Sequence, residues 1–472
     1  MSTKDFLMVS YGFESIYGFT GGGISRLSKE LSEYDFYQIL GSCSKIALTL
    51  SSGGYTDRAT QIKLIKSIFA PDKDVRSRIL TAIRKANIPQ WTIFTDQQIL
   101  VLLKIALQFS PRDTGKAIIT PQDVSKLGHW LLKTTDIFLE EGKAGMIAVP
   151  VEYRREQIRE FLVTQYFFKN NERLPYLLAR FEKLFLLIRS THPEFDIDAK
   201  FSDATGGVSL ENYISFCFFL LVNWVNKTTR EPDVATEWII SRRKYFEQTA
   251  LTQEEIESVL SLLLLDTDSY IKNYEETVKT TLRGKDIFGY NFLLMRQRPL
   301  IAYNYFCFVC PSPNFLKDKA TEGIYWIIEN HLKEKGTKKD WDLFPAVWGD
   351  AFEVYVHERF ESGFGKKIYH RNFSIKVNEK VDGLLEGNVI ISFIETKYAH
   401  WTYKAKLTGK KEDMMPTLMQ LFSSKKKVKG LGQITRSIKE LEKGEWRLPF
   451  KRKDRKILPI IVVGEAMPID AY

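Results

Sequence analysis

The run Val389–Ile394, "VIISFI", restricts this chain more than any other stretch. Five of its six residues are β-branched or aromatic, a composition and length that suit a buried strand bounded by turns. The run continues directly into Glu395, Thr396 and Lys397. Because side chains alternate along a strand, residues 395 and 397 share a face, and a carboxylate and an ammonium stand side by side where the apolar run ends.

Upstream, "NFSIKVNEKVDGLL" is a second strand-like run, joined to the first through Glu386, Gly387 and Asn388, a hairpin signal. Asp382 lies 13 positions before Glu395, so closing that turn brings the two carboxylates near each other. Two acids and a lysine on adjacent strands cost stability unless a divalent cation sits between the acids. Mg²⁺, or Mn²⁺ in its place, suits one or two carboxylates completed by a backbone carbonyl and waters. The bare pattern Asp/Glu-x-Lys is common, recurring at Glu141/Lys143, Asp198/Lys200 and Asp454/Lys456, but only the pair at 395 and 397 closes an apolar strand. The plain alternative for that pair is a strand-end ion pair at the surface, worth about 0.5 kcal/mol.

The flanking segments complete a small α/β pattern. "WGDAFEVYVHERFESGFG" spaces Phe352, Val356 and Phe360 four apart on one helical face, with Gly363 and Gly365 ending the helix. Glu353 supplies a third acid from that helix, and His357, four residues on, is read as an ordinary surface histidine. "GLGQITRSIKELEKG" is a short amphipathic helix carrying Gln433 near its start, followed by Arg436 and Lys439, which suits contact with phosphate. "KILPIIVVG" reads as a buried strand.

"GDAFE", "VDGLLEG", "IETK" and "GQI", in this order, resemble the PD-(D/E)xK nuclease superfamily over residues 341–472. The resemblance places Glu353, Asp382, Glu395, Lys397 and Gln433 at the signature positions. It implies a restriction-endonuclease-like αβββαβ core, a metal-dependent phosphodiesterase site and DNA as the usual substrate. In that scheme Asp382 and Glu395 hold Mg²⁺ or Mn²⁺, Glu353 completes or positions the site, and Lys397 acts on the attacking water. The sequence departs from the pattern at Val381, where proline is common, and at Ser437, so the chain is not assigned to the Gln-xxx-Tyr branch. The chain also continues only briefly past its last strand-like run, so a closing helix found in some relatives is expected to be absent or supplied elsewhere.

Charge supports a polyanionic partner. The net charge is +10, and between Lys404 and Lys456 there are 17 basic against 6 acidic residues. Within that stretch or beside it, Trp401, Tyr403, Lys404 and Lys406 interleave aromatic and basic side chains, as suits stacking on bases beside phosphates. Trp401 equally suits packing of the insertion onto the core. Lys425, Lys426, Lys427 and Lys429 add backbone affinity rather than sequence reading. Such contacts do not separate DNA from RNA, and the preference for DNA rests on the resemblance.

Before residue 285 helical periodicity dominates, marked by Thr95 and Asp96 as caps and by a Thr252–Glu255 capping box. The expected organisation is therefore an α+β multidomain chain. A mostly α-helical region spans 1–285, holding two subdomains if a boundary near 142–150 is real, and serving regulation or contact with a protein partner or second copy. A mixed connecting segment follows over 286–340, with "KEKGTKKD" as linker, and the nuclease-like domain over 341–472. Gly21, Gly22 and Gly23 lack the Gly-Lys-Ser/Thr of a phosphate loop and read as a turn. Four scattered cysteines, with Cys307 and Cys310 inside an apolar run, indicate core thiols in a reducing compartment. No stretch has the apolar length of a membrane span and the first residues do not form a signal peptide, so the expected location is the cytoplasm. Restriction or antiphage defence in bacteria is the setting that analogy proposes. The rival reading is a non-catalytic nucleic-acid-binding or scaffold protein with a degenerate nuclease-like domain.

Overall fold

The computed structural model describes residues 9–10, 12–19, 21–53, 57–86, 91–112, 123–147, 174–229, 239–247, 249–281, 291–375, 378–402, 405–406, 411–422, 430–450 and 455–464. Helix predominates, with small sheets between, and no single described helix is long and apolar enough to cross a membrane. Backbone contacts divide the chain into two compact units, one of residues 1–157 and 208–324, the other of 158–207 and 325–472.

The first unit is built around the helix Asp96–Phe109, buried without a break from Gln97 to Leu107. Thr95 starts it with a capping box to Gln98, each side chain meeting the other's backbone N–H. Lys104 lies fully buried in that helix because its Nζ donates to Asn291 O at 3.0 Å and sits 4.5 Å from the Tyr274 ring centre. The Thr252–Glu255 capping box forms as its spacing indicates. Gly22 and Gly23 both take positive φ at the start of the helix Gly23–Leu31, the turn expected of them. Four strands make this unit's main sheet, in the order 239–241, 307–309, 300–304, 264–265. Cys310 is buried there and Cys307 half-buried, both as free thiols.

The second unit holds the helices α1 (Leu174–Thr191), α2 (Ile197–Thr205) and α3 (Lys338–Phe364). Three antiparallel strands follow, β1 (Tyr369–Ile375), β2 (Asn378–Glu386) and β3 (Ile390–Lys397), then α4 (Lys411–Phe422), α5 (Leu431–Glu442) and β4 (Lys456–Val463). The sheet order is β4-β3-β2-β1, with β4 parallel to β3. Phe185 of α1 meets Trp348 of α3 with ring centres 6.0 Å apart. Beneath the sheet, Val381, Leu384, Ile391 and Phe393 pack with Ile434 of α5 and with Trp446, whose Nε1 donates to Ser437 O at 2.9 Å.

Several sequence readings need correction. The run "NFSIKVNEKVDGLL" is not one strand but parts of β1 and β2, which pair antiparallel. "KEKGTKKD" is no linker: it closes the helix Glu322–Lys335 and opens α3, whose N-cap Thr337 accepts from Asp340 N. Residue 341 therefore falls inside a helix, and the unit around the C-terminal sheet also takes in residues 158–207. "KILPIIVV" forms the edge strand β4 rather than a buried one, with Leu458 44% exposed. An apolar run carries no mark of edge or centre, but Pro459 does, since proline has no N–H to donate to a ladder.

Trp446 links α5 to β3, its ring centre lying 5.8 Å from that of Phe393. Trp446→Ala should lower unfolding stability by about 3–5 kcal/mol, read as a lower denaturant midpoint. An unchanged midpoint would show that this cluster does not hold the sheet.

Candidate active site

Asp382, Glu395 and Lys397 come together where β2 and β3 leave their ladder. The last paired residues are Gly383 and Ile394, and Asp382 and Glu395 are the next on each strand. Asp382 is 4% exposed and Glu395 is 0% exposed. Lys397 Nζ lies 2.5 Å from Glu395 Oε1 and 4.0 Å from Asp382 Oδ2. The plain alternative of a surface ion pair therefore fails on burial: both carboxylates are inside, where an ion pair must offset a desolvation cost of several kcal/mol per charge.

Thr396 fixes the second carboxylate. Its N and Oγ1 both donate to Asp382 Oδ2, at 2.6 and 2.9 Å. Burial nevertheless raises the Asp382 pKa above the ordinary carboxyl value; Lys397 and the Thr396 bonds oppose the shift, and the Glu353 charge adds to it. Thr396 was not singled out from the sequence, although it sits between the two functional residues of "ETK".

Glu353 starts a chain of side-chain contacts beside the site. Its Oε1 lies 3.3 Å from His357 Nε2, while His357 Nδ1 lies 2.5 Å from the Tyr369 hydroxyl. His357 is 1% exposed, which corrects its reading as a surface residue: its helical face turns toward the sheet, where Tyr369 satisfies one ring nitrogen. Burial, with Asp382, Glu361 and Glu353 nearby, pushes the Tyr369 phenol far above its usual pKa, so it remains a neutral hydroxyl. Gly383 makes this possible, since a Cβ there would lie 2.5 Å from the Tyr369 hydroxyl oxygen. A sequence signal existed in the Asp-Gly pair at 382–383, but Tyr369 pairs from another strand and leaves no local trace.

Among the described residues, no group of three or more His, Cys, Asp and Glu side chains is arranged to hold a metal ion. Glu353 is thus not brought into one ligand set with Asp382 and Glu395. The two remaining acids still fit a hard divalent cation of the Mg²⁺ kind, which keeps several waters and needs only one or two carboxylates. Both bonds from Thr396 fall on Oδ2 of Asp382, so Oδ1 carries neither.

Gln433 is half-buried in the first turn of α5, its N donating to Gly430 O at 3.0 Å. Arg436 is exposed and paired to Glu440 at 2.8 Å, and Lys439 is exposed on the same helix. Trp401 is not available to nucleic acid: 1% exposed, it packs with Ala405, Met414 and Leu418 as the core of the insertion. Lys406 follows in the same short turn, half-buried. Tyr403, Lys404, Lys425, Lys426, Lys427 and Lys429 lie outside the described residues.

No protein-family model, no curated protein and no solved structure matches this chain.

The Asp382 shift has a definite sign. A carboxyl whose folded pKa is raised contributes stability below its unfolded value, 3.8, and loses it as pH rises through the folded value. In EDTA, wild type should therefore lose melting temperature relative to Asp382→Asn across that window, and the variant should be comparatively the more stable at neutral pH. Parallel melting curves from acid to neutral pH would contradict a raised pKa.

Proposed function

We propose that the C-terminal α/β part of this chain is a metal-dependent nuclease of PD-(D/E)xK type that hydrolyses phosphodiester bonds, with DNA the preferred substrate. The observation that carries this reading is the meeting of two buried carboxylates with one lysine at the mouth of a strand pair. The order helix, three strands, helix and strand agrees with the αβββαβ core that the resemblance implies. The extra helix α4 falls in the insertion between β3 and α5.

Asp382 and Glu395 would hold Mg²⁺ or Mn²⁺. When bound, such an ion supplies Lewis-acid stabilisation of charge on the phosphate and lowers the pKa of water. Lys397, set on the same face as Glu395, orients the attacking water and balances negative charge as the oxygen approaches phosphorus. Thr396 positions Asp382, and the chain of contacts from Glu353 through His357 to Tyr369 fixes the wall beside it. Gln433 stands at the signature position on α5 for contact with phosphate or ordered water.

A second reading, a nucleic-acid-binding platform without turnover, has one observation in its favour: Lys397 is already held by Glu395 and Asp382 by Thr396, contacts that need no substrate. The two readings share binding and differ in cutting.

Purified protein should cleave labelled duplex DNA in Mg²⁺ or Mn²⁺ and do nothing in EDTA. Lys397→Ala and Glu395→Gln should each cost about 100-fold or more in rate with folding intact. Single-stranded DNA and RNA in parallel rank the substrates. Equal cutting by wild type and both variants, or binding without cutting in every metal, would overturn the nuclease reading.

A further inference from the structure

A cavity of about 410 Å³ opens in the first unit among the helices Phe13–Tyr17, Gly23–Leu31 and Val124–Ile147 and the turns that follow the first two. That volume falls in the range of small-molecule sites, about 300–1,000 Å³. Five rings form its walls: Phe13, Tyr17, Phe19, Tyr34 and Trp130. Phe13 and Tyr17 stack with ring centres 4.3 Å apart, and Phe19 meets Phe13 edge-on at 5.5 Å. Phe19 is still 55% exposed, so a ring face is open to whatever enters.

The polar groups of the walls cancel in charge. Lys133 Nζ donates to both carboxylate oxygens of Glu30, at 2.6 and 2.7 Å, and Trp130 Nε1 donates to the same carboxylate at 3.1 Å. Arg26 joins Glu30 from outside the cavity at 3.4 Å. Lys126 Nζ reaches Asp123 and the Tyr34 hydroxyl, each at 2.7 Å. Burial pushes the Tyr17 phenol up to about 12 and lowers the His129 pKa, so these two side chains, 2.7 Å apart, are neutral at pH 7. Glu33 lines the cavity from an exposed position and has no ion-pair partner among the described residues. Arg26, Lys126 and Lys133 therefore stand against Glu30, Glu33 and Asp123. An ammonium has three N–H donors, of which these partners take two, so Lys126 and Lys133 each keep one and Glu33 keeps a whole carboxylate.

Such walls disfavour the simplest ligands. A cation would meet two ammonium groups, an anion two carboxylates, and an aliphatic chain would strip water from the spare donors and from Glu33 without replacing it. A neutral flat molecule with donors and acceptors on its edge satisfies rings and polar groups together, and a nucleobase is such a molecule. Glu33 narrows the choice, because a carboxylate accepts two parallel N–H bonds. Guanine offers them from its ring N–H and the neighbouring amino group, and adenine does not.

We propose that this cavity binds a guanine base, stacked on Phe19, with Glu33 accepting from its ring N–H and amino group and the spare lysine donors on its acceptor atoms. Binding there needs no metal and no cutting, so it is independent of the nuclease reading. A free guanine nucleoside and a guanine carried on a strand present the same base.

The test is isothermal titration calorimetry of the full chain in EDTA with guanosine, and with adenosine and inosine as comparators. Guanosine should bind saturably at one site per chain and adenosine about tenfold or more weaker, with inosine, which lacks the amino group, between them. Phe19→Ala should weaken guanosine by about tenfold or more through lost stacking. Glu33→Gln should weaken guanosine to a similar extent and leave adenosine unchanged, because the amide keeps the shape but only one acceptor oxygen. Both residues are exposed, so neither substitution should disturb folding, which melting temperatures verify. Equal affinity for guanosine and adenosine overturns the assignment, as does wild-type guanosine affinity in both variants or an absence of saturable binding. A labelled oligonucleotide of alternating guanine and thymine that guanosine displaces, and that Phe19→Ala no longer binds, assigns the base to a strand. Guanosine binding for which that oligonucleotide does not compete assigns it to a free nucleoside or nucleotide.

Discussion

Two carboxylates enclosed within reach of one ammonium set the terms for the C-terminal half of this protein. In water such a group of charges is weakly coupled, but with Glu395 fully buried and Asp382 nearly so, each charge must be met by a specific partner. Lys397 meets Glu395 and Thr396 meets Asp382, through a main-chain and a hydroxyl donor together. The geometry then depends on the β2–β3 register, since a slip of one residue would turn Asp382 away from Glu395 and send Phe393 out of the core. The apolar cluster of Val381, Leu384, Ile391, Phe393 and Trp446 is what holds that register.

The remaining elements act on this centre from outside. Helix α3 brings Glu353 and His357 to Tyr369, and the absence of a side chain at Gly383 lets the phenol approach the strand. The far edge of the sheet is closed by β4, whose exposed residues and Pro459 limit further pairing. Its Val463 pairs with Lys397, and Gly464 N donates to Lys397 O at 3.1 Å, so the lysine backbone is tied on the β4 side while its side chain faces the acids. The same strand, through Val462 and Val463, also lines a cleft between α1 and α3.

Much of this was legible in the sequence, for reasons that can be stated residue by residue. Alternation along "VIISFIETK" and the turn at Glu386–Asn388 place Asp382, Glu395 and Lys397 together without knowledge of the fold, because hairpin geometry is local. Thr396 and the His357–Tyr369 contact were not legible, since each joins residues on different elements through side chains. Trp401 followed a misleading pattern: aromatics between lysines suit base stacking, yet the insertion needs its own small core and Trp401 provides it. "KEKGTKKD" misled by composition, where one cap residue, Thr337, was enough to restart a helix. The participation of residues 158–207 in the second unit left no mark in the sequence, because helix-to-helix packing has no short-range signature.

The central claim is that Asp382 and Glu395 are a cation site rather than a structural ion cluster. The direct measurement is a Mn²⁺ titration read by the electron paramagnetic resonance of the free ion, without nucleic acid. The account predicts that wild type removes Mn²⁺ from solution with saturable stoichiometry, that Mg²⁺ competes for it, and that Asp382→Asn, still folded, removes markedly less. Equal Mn²⁺ uptake by wild type and Asp382→Asn, or none by either, would contradict the claim and leave the two carboxylates as a structural cluster.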